Sequence, residues 1–171
     1  NERKLSSIYF GGGTPSLLRP SDIECLISHA RELFDCSGVE EITIEANPDD
    51  LTDEYVKELA KTSVNRVSLG IQSFDDGALR LMNRRHTADE AVEAVYRLKS
   101  HGIENISIDI IFGVAGYGGE SLRHTLDEAI KLDVGHISAY HLTIEERTKL
   151  GLMTQRGEYT PITDEKSVEE Y

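Results

Sequence analysis

The chain has 171 residues, 39% of them hydrophobic and 29% charged, enough for one domain with a core of its own. Its formal net charge of −13 argues against a nucleic-acid partner, because such proteins concentrate Lys and Arg against the phosphates. No stretch approaches the roughly 20 apolar residues of a membrane span, and the two cysteines, Cys25 and Cys36, form no CxxC pair and suggest neither a disulfide framework nor a zinc module. They are expected as small buried hydrophobes in a reducing cytoplasm.

In chain order, "LSSIYF" (5–10) reads as a strand that ends in three glycines, Gly11 to Gly13, and Thr14-Pro15. Ile23, Leu26, Ile27, Ala30, Leu33 and Phe34 then follow the helical period, with Ser21 and Glu24 spaced as a capping box and Cys25 on the apolar side. "EITIEA" (41–46) is a second strand and 53–62 a helix; "RVSLGIQS" (66–73) is a third strand and 75–83 a helix. Thr87 and Glu90 form another capping box, opening a helix that carries Ala91, Val92, Ala94, Val95 and Leu98 and that Gly102 is placed to end. "NISIDIIFG" (105–113), a helix over 120–132 and "HISAYHLT" (136–143) follow, and the polar segment after residue 144 leads into a further element. Strands alternating with helices predict a parallel sheet, near-continuously apolar where helices cover it. A doubly wound open sheet and part of a β/α barrel both fit this rhythm.

In either architecture a ligand sits at the carboxyl ends of the strands. The polar residues placed there are Gly11 to Thr14, Glu45 and Asn47, Gln72 and Ser73, Asp109 within the fourth strand, and His141 and Thr143 on the last. Arg84, in the loop "NRRHT", can fold over the same rim. Glu45 and Asn47 before Pro48 also suit a turn and cap, and Gln72 a loop contact. Asp109 lies between Ile108 and Ile110, where a carboxylate is costly unless partnered. His86, His101 and His124 read as surface residues, and His136 and His141, five apart on a strand, point to opposite faces and suggest no metal. No Lys follows the glycines as a P-loop requires, and Ser16 stands where GxGxxG needs its third glycine. What remains is a bare run of backbone N–H and C=O groups open to a small polar ligand. Without a cofactor, Glu45 and Asp109 would be the acid/base pair of a hydrolase or lyase.

"IYFGGGTPSLL", "EITIEANPDDLT", "NRVSLGIQSFDDGALRLMNRRHT", "ISIDIIFG" and "HISAYHLTIEERTKL" occur in that order. Together they resemble the radical S-adenosylmethionine (SAM) family of oxygen-independent coproporphyrinogen III oxidases and their haem-chaperone relatives, from about residue 5 to residue 152. The resemblance implies an α/β fold: a partial (β/α)6 barrel, strands two to six with covering helices, its first βα unit missing. Residues 1–152 would form this core and 153–171 the start of a connection to a C-terminal region. The implied cofactors are SAM and a 4Fe–4S cluster, and the implied partner is haem or a porphyrin. Carried over by position, Gly12, Gly13 and Thr14 would meet the amino group of the methionine moiety. Glu45 and Asp109 would meet ribose hydroxyls, Arg84 the carboxylate, and Gln72 a further part of SAM, while the Thr143 backbone would lie near the adenine.

"GIQSF", "NRRHT" and "SAYHLTIEERT" favour the chaperone branch over the oxidase, which decarboxylates coproporphyrinogen III. The family's CxxxCxxC, expected before the glycine segment, does not occur here, and Cys25 and Cys36 do not replace it, so the chain alone is expected to be inactive. The sequence, starting at Asn1 and ending in "KSVEEY", reads as a piece of a longer protein. "GVAGYGGES" also departs from the family's Gly-Leu-Pro-Gly-Gln-Thr, with Ala115 for Pro and Tyr117-Gly118 for Gln-Thr.

Overall fold

The computed structural model describes residues 4–170. In order it contains β1 (Ser7–Phe10), α1 (Pro20–Leu33), β2 (Glu41–Ala46), α2 (Asp53–Leu59), β3 (Arg66–Gln72), α3 (Asp76–Leu81), α4 (Ala88–Ser100), β4 (Ile106–Phe112), α5 (Glu120–Lys131), β5 (His136–His141), α6 (Lys149–Gln155) and α7 (Asp164–Glu170). Short 3-10 turns, Pro15–Leu17 and Pro48–Asp50, follow β1 and β2. All neighbouring strands are parallel, and their spatial order is β1-β2-β3-β4-β5. A doubly wound sheet would reverse direction and place strands on both sides of β1. The unbroken order therefore selects the barrel-type progression, with β1 and β5 at its two edges.

The strands are not continuously apolar. They alternate, and the period of two sends Ile42, Ile44, Val67, Leu69, Ile71, Ile106 and Ile108 to one face, where each is at most 4% exposed. That face packs on Ile23 and Ile27 of α1, Val56 and Leu59 of α2, Ala91, Ala94, Val95 and Leu98 of α4, and Ala129 of α5. Each buried Ile, Leu or Val contributes about 1.5–3 kcal/mol by leaving water. The same period sends Thr43, Glu45, Arg66, Ser68, Ser107 and Asp109 to the opposite face. The sheet thus has an oily side sealed by helices and a polar side that is free to hold a ligand.

Two helix starts behave differently. Thr87 and Glu90 form the expected capping box: Thr87 Oγ1 accepts from the Glu90 amide at 3.3 Å, and the Thr87 amide donates to Glu90 Oε2 at 2.7 Å. Gly102, at φ 84°, ends the helix. Thr87→Ala should cost about 1 kcal/mol and lower the unfolding midpoint by roughly 2–4 °C; an unchanged midpoint in a thermal scan would show that the box contributes nothing. The box at Ser21 and Glu24 is not formed. Pro20 takes the first helical position with Arg19 as N-cap, which shifts Ser21 inside the helix. Glu24 instead accepts from Ser63, at 2.6 Å from the amide and 2.9 Å from the hydroxyl, and ties α1 to the turn before β3. With that phase only Ile23 and Ile27 are fully inward; Leu26 is 51% exposed, Cys25 is exposed rather than buried, and Cys36 is half-buried. Among the described residues no helix is long and apolar enough to cross a membrane.

Candidate functional site

At the carboxyl ends of β1 to β4 the polar face opens into a cavity of about 210 Å³. Gly13, Thr14, Glu45, Asn47, Ser68, Gln72, Arg84 and Asp109 all line it. Five segments far apart in sequence thus contribute to one space.

The glycines after β1 divide the work. Gly12 and Gly13 have φ of 80° and 60°, the left-handed region that suits glycine, and a Cβ on either would meet nothing within 4 Å. At Gly11 a Cβ would lie 2.6 Å from the Tyr9 ring and 2.9 Å from Glu45 Oε1, so the absent side chain makes room for those two. The run of amides is also not bare: the Gly12 amide donates to Glu45 Oε2 at 3.0 Å, and Tyr9 Oη donates to Glu45 Oε1 at 2.8 Å. Burial, followed by this hydrogen bond to Glu45, pushes the Tyr9 hydroxyl up to about 12, so it stays a donor.

Gln72 is aimed by an irregularity. Leu69 pairs with Ile108 but Gln72 with Ile110, so β3 carries one residue more than β4 at this point. Gln72 has φ 71° and lies close over Gly70, where a Cβ would stand 2.9 Å from its Nε2. The one sign of this bulge in the residue pattern is Gly70, since a glycine inside a strand often marks one.

Asp109 has the partners its position demands. Ser68 Oγ donates to its Oδ2 at 3.4 Å, and Ser138 on β5 supplies another hydroxyl. Burial still dominates and raises its pKa above the ordinary carboxylate value, with Glu45 adding to the rise. Burial likewise lowers the pKa of the Arg84 guanidinium, against the pull of Asp49 and Asp109. The cavity therefore holds a cation and two carboxylates, each with spare hydrogen-bonding capacity.

Other expected rim residues go elsewhere. Ser73 is buried, bonds Thr125 at 3.2 Å and caps the turn into α3 through the Asp75 amide. Thr143 lines a second cavity of about 390 Å³ with Leu142, Ile111 and Lys149. Arg84 lines both cavities and is their common wall. His141 packs edge-on against Phe112, with ring centroids 5.4 Å apart. His86 is not a surface residue: it is 3% exposed, and its Nε2 bonds the Ile71 carbonyl at 2.9 Å. Burial holds its pKa below the usual histidine value, which leaves Nε2 the protonated donor. The glycine-rich loop after β4 is ordered by a Tyr117 amide bond to the Val114 carbonyl, 2.9 Å, and by Tyr159 Oη, which accepts from the Ala115 amide at 2.9 Å.

These features define a barrel-type parallel α/β protein with a polar cavity at its strand ends. The sequence matches the Radical SAM superfamily over residues 1–129. It is 38% identical over 168 residues to Heme chaperone HemW of Lactococcus lactis, covering 98% of this chain and 44% of that protein. It is 33% identical over 149 residues to the oxygen-independent coproporphyrinogen-III oxidase-like protein HemZ of Bacillus subtilis, covering 86% of this chain and 30% of that one. The coproporphyrinogen III oxidase HemN of Escherichia coli, a radical SAM enzyme, superposes with a TM-score of 0.80 at 23% identity, over 98% of this chain and 38% of that one, a likeness of fold. This chain belongs to the radical SAM superfamily, and it spans less than half the length of these relatives.

Proteins of that superfamily bind SAM and a 4Fe–4S cluster. The cavity residues suit the first: amides and carboxylates for an ammonium and a diol, a guanidinium for a carboxylate. They do not suit the second. The chain has two cysteines, neither lining the cavity, and among the described residues no group of three or more His, Cys, Asp or Glu could hold a metal ion.

Proposed function

We propose that the cavity binds S-adenosylmethionine and that the whole protein is a radical SAM haem chaperone. The observation that carries this reading is the convergence of Gly13, Thr14, Glu45, Gln72, Arg84 and Asp109 on one space, with Gly12 fixed beside them by Glu45. SAM, when bound beside a 4Fe–4S cluster, supplies one-electron chemistry that no side chain can. The chain's own residues bind and orient. Arg84 takes the methionine carboxylate, where a planar two-pronged donor matches a planar acceptor. The backbone of Gly12 to Thr14 meets the amino group, Glu45 and Asp109 take the ribose hydroxyls, and Gln72 closes the wall over Gly70. Thr143 lines the second cavity across Arg84, and its backbone takes the adenine.

Residues 1–152 serve as the cofactor-binding core and 153–171 as the start of a connection, tied to the core by Tyr159. Haem or a porphyrin is the partner, and the cytoplasm, where Cys25 and Cys36 stay reduced, is the compartment. The similarity to HemZ supports a second reading, oxidative decarboxylation of coproporphyrinogen III. Titration of SAM into anaerobically reconstituted full-length protein is expected to give saturable binding, and its absence would overturn the cofactor reading. Haem should form a stable complex with that protein while coproporphyrinogen III stays intact; loss of its propionate carboxyls as carbon dioxide would establish the second reading instead.

A further inference from the structure

The residues proposed to touch SAM make few hydrogen bonds to one another, yet they come from separate segments of the chain, among them the glycine segment after β1, the turn after β2, the β3 bulge and the Arg84 loop. What holds those segments in register lies one layer behind the cavity. Asp50, with a side chain only 9% exposed, is the hub. Its Oδ2 accepts from Ser16 Oγ at 2.7 Å and from Asn47 Nδ2 at 3.5 Å, while its Oδ1 accepts from Arg85 Nη2 at 3.1 Å. Ser16 Oγ in turn accepts from the Asn47 amide at 3.4 Å, and the same Arg85 nitrogen pairs with Asp49 Oδ2 at 2.6 Å. The next residue, His86, has a side chain 1% exposed and donates from Nε2 to the Ile71 carbonyl at 2.9 Å. Its other nitrogen stands 3.9 Å from Asp49 Oδ1, too far for a hydrogen bond.

Each link sits one to three residues from a cavity-lining group. Ser16 follows Thr14, Asp50 follows Asn47, Ile71 precedes Gln72, and Arg85 and His86 follow Arg84. A displacement at a link is therefore carried through the backbone to the neighbouring cavity residue, and ligand geometry tolerates only about an ångström of error. We propose that Asp50 and His86 are positioning residues: together they clasp the segment after β1, the turn after β2, the β3 bulge and the Arg84 loop into the single rim that binds SAM. Asp50 joins the first, second and fourth, and His86 joins the third and fourth. Neither touches the ligand. The inference rests on the SAM reading of the cavity, but the clasp itself is readable without SAM.

The test compares Asp50→Asn, His86→Phe and His86→Gln in anaerobically reconstituted full-length protein, with Ile23→Val in α1 as a control that loosens the core away from the rim. The readouts are SAM affinity by calorimetry and amide exchange over residues 11–16 and 83–87. Asn at 50 keeps the shape but loses the charge shared with Arg85; affinity should fall roughly tenfold and exchange should rise in both segments. Phe at 86 keeps the volume and loses the donor, with a similar fall. Gln at 86 places an amide N–H near the position of Nε2 and should recover affinity to within about threefold of the parent. Ile23→Val should leave affinity unchanged. Parent-like affinity and exchange in Asp50→Asn would overturn the proposal even if His86→Phe fails to fold. A Gln variant as weak as the Phe variant would overturn the part assigned to His86. If the parent binds no SAM, the cofactor reading falls, and exchange alone then decides the clasp: faster exchange in both segments supports it and unchanged exchange overturns it.

Discussion

Arg84→Ala is expected to weaken SAM binding by about two orders of magnitude and to leave the stability of the fold unchanged or slightly raised. The two halves have one cause. The guanidinium sits where burial lowers its pKa, with Asp49 and Asp109 exerting only a through-space pull, and it makes no hydrogen bond to any described residue. Without a bound anion it is a cation held at a cost. A ligand carboxylate would supply a two-pronged partner in a site of reduced dielectric, and such charge-assisted bonds are worth about 1.5–3 kcal/mol, or roughly 10- to 150-fold in affinity. The loop itself survives the substitution, because its anchor at this residue is the Arg84 amide on the Leu79 carbonyl, 2.9 Å, which alanine retains. Calorimetry and a thermal scan on the full-length variant separate the effects. Parent-like affinity would remove Arg84 from the site, and a large drop in melting midpoint would make it structural.

The second expectation also runs in opposite directions for stability and binding. Asp109→Asn should stabilise the fold at neutral pH while lowering SAM affinity by about tenfold. Burial raises the folded-state pKa of Asp109 above its unfolded value near 3.8. Between those two values the folded state binds more protons than the unfolded one, so stability falls as pH rises through the window. The contribution of the protonated form is complete below pH 3.8 and has vanished above the folded-state pKa. Once the carboxylate is ionised, its desolvation is only partly offset by Ser68 and Ser138. Asparagine keeps an acceptor for those hydroxyls and discards the charge. The difference in unfolding free energy between parent and variant, followed from pH 3 to 7, should therefore grow with pH and level off. A variant less stable than the parent at pH 7, or a difference that shrinks with pH, would contradict the assignment. The conflict itself has a physical meaning: a group that costs the fold stability by itself is what a bound polar ligand can use.

Much of this site could be read along the chain. Strand ends and the period of two are local properties, so the sequence alone places Glu45, Gln72 and Asp109 at one rim, and the residues that resemble the radical SAM family mark the same positions. The Thr87–Glu90 box was equally legible because both its partners lie within one turn of helix. The failures share the opposite character. Ser21 and Glu24 have the spacing of a cap, but Pro20 claims the helix start and Ser63, 39 residues further on, claims the glutamate. His86 reads as a polar loop residue because the carbonyl that buries it belongs to a strand 15 residues earlier. Cys25 was placed inside by a helical stripe that proved only as wide as Ile23 and Ile27.

Period and punctuation along 171 residues thus determined that this protein would be a parallel α/β sheet with polar groups gathered at its strand ends, since hydrophobic burial and backbone hydrogen bonding act on the same few residues wherever the chain goes. Only the tertiary structure decided that the strands run in unbroken spatial order, that β3 carries a bulge, that Arg84 divides two cavities, and that Asp50 and His86 stand behind the rim. Each of these depends on groups that meet across tens of residues, and a pairing made at such distance leaves no periodic trace in either partner.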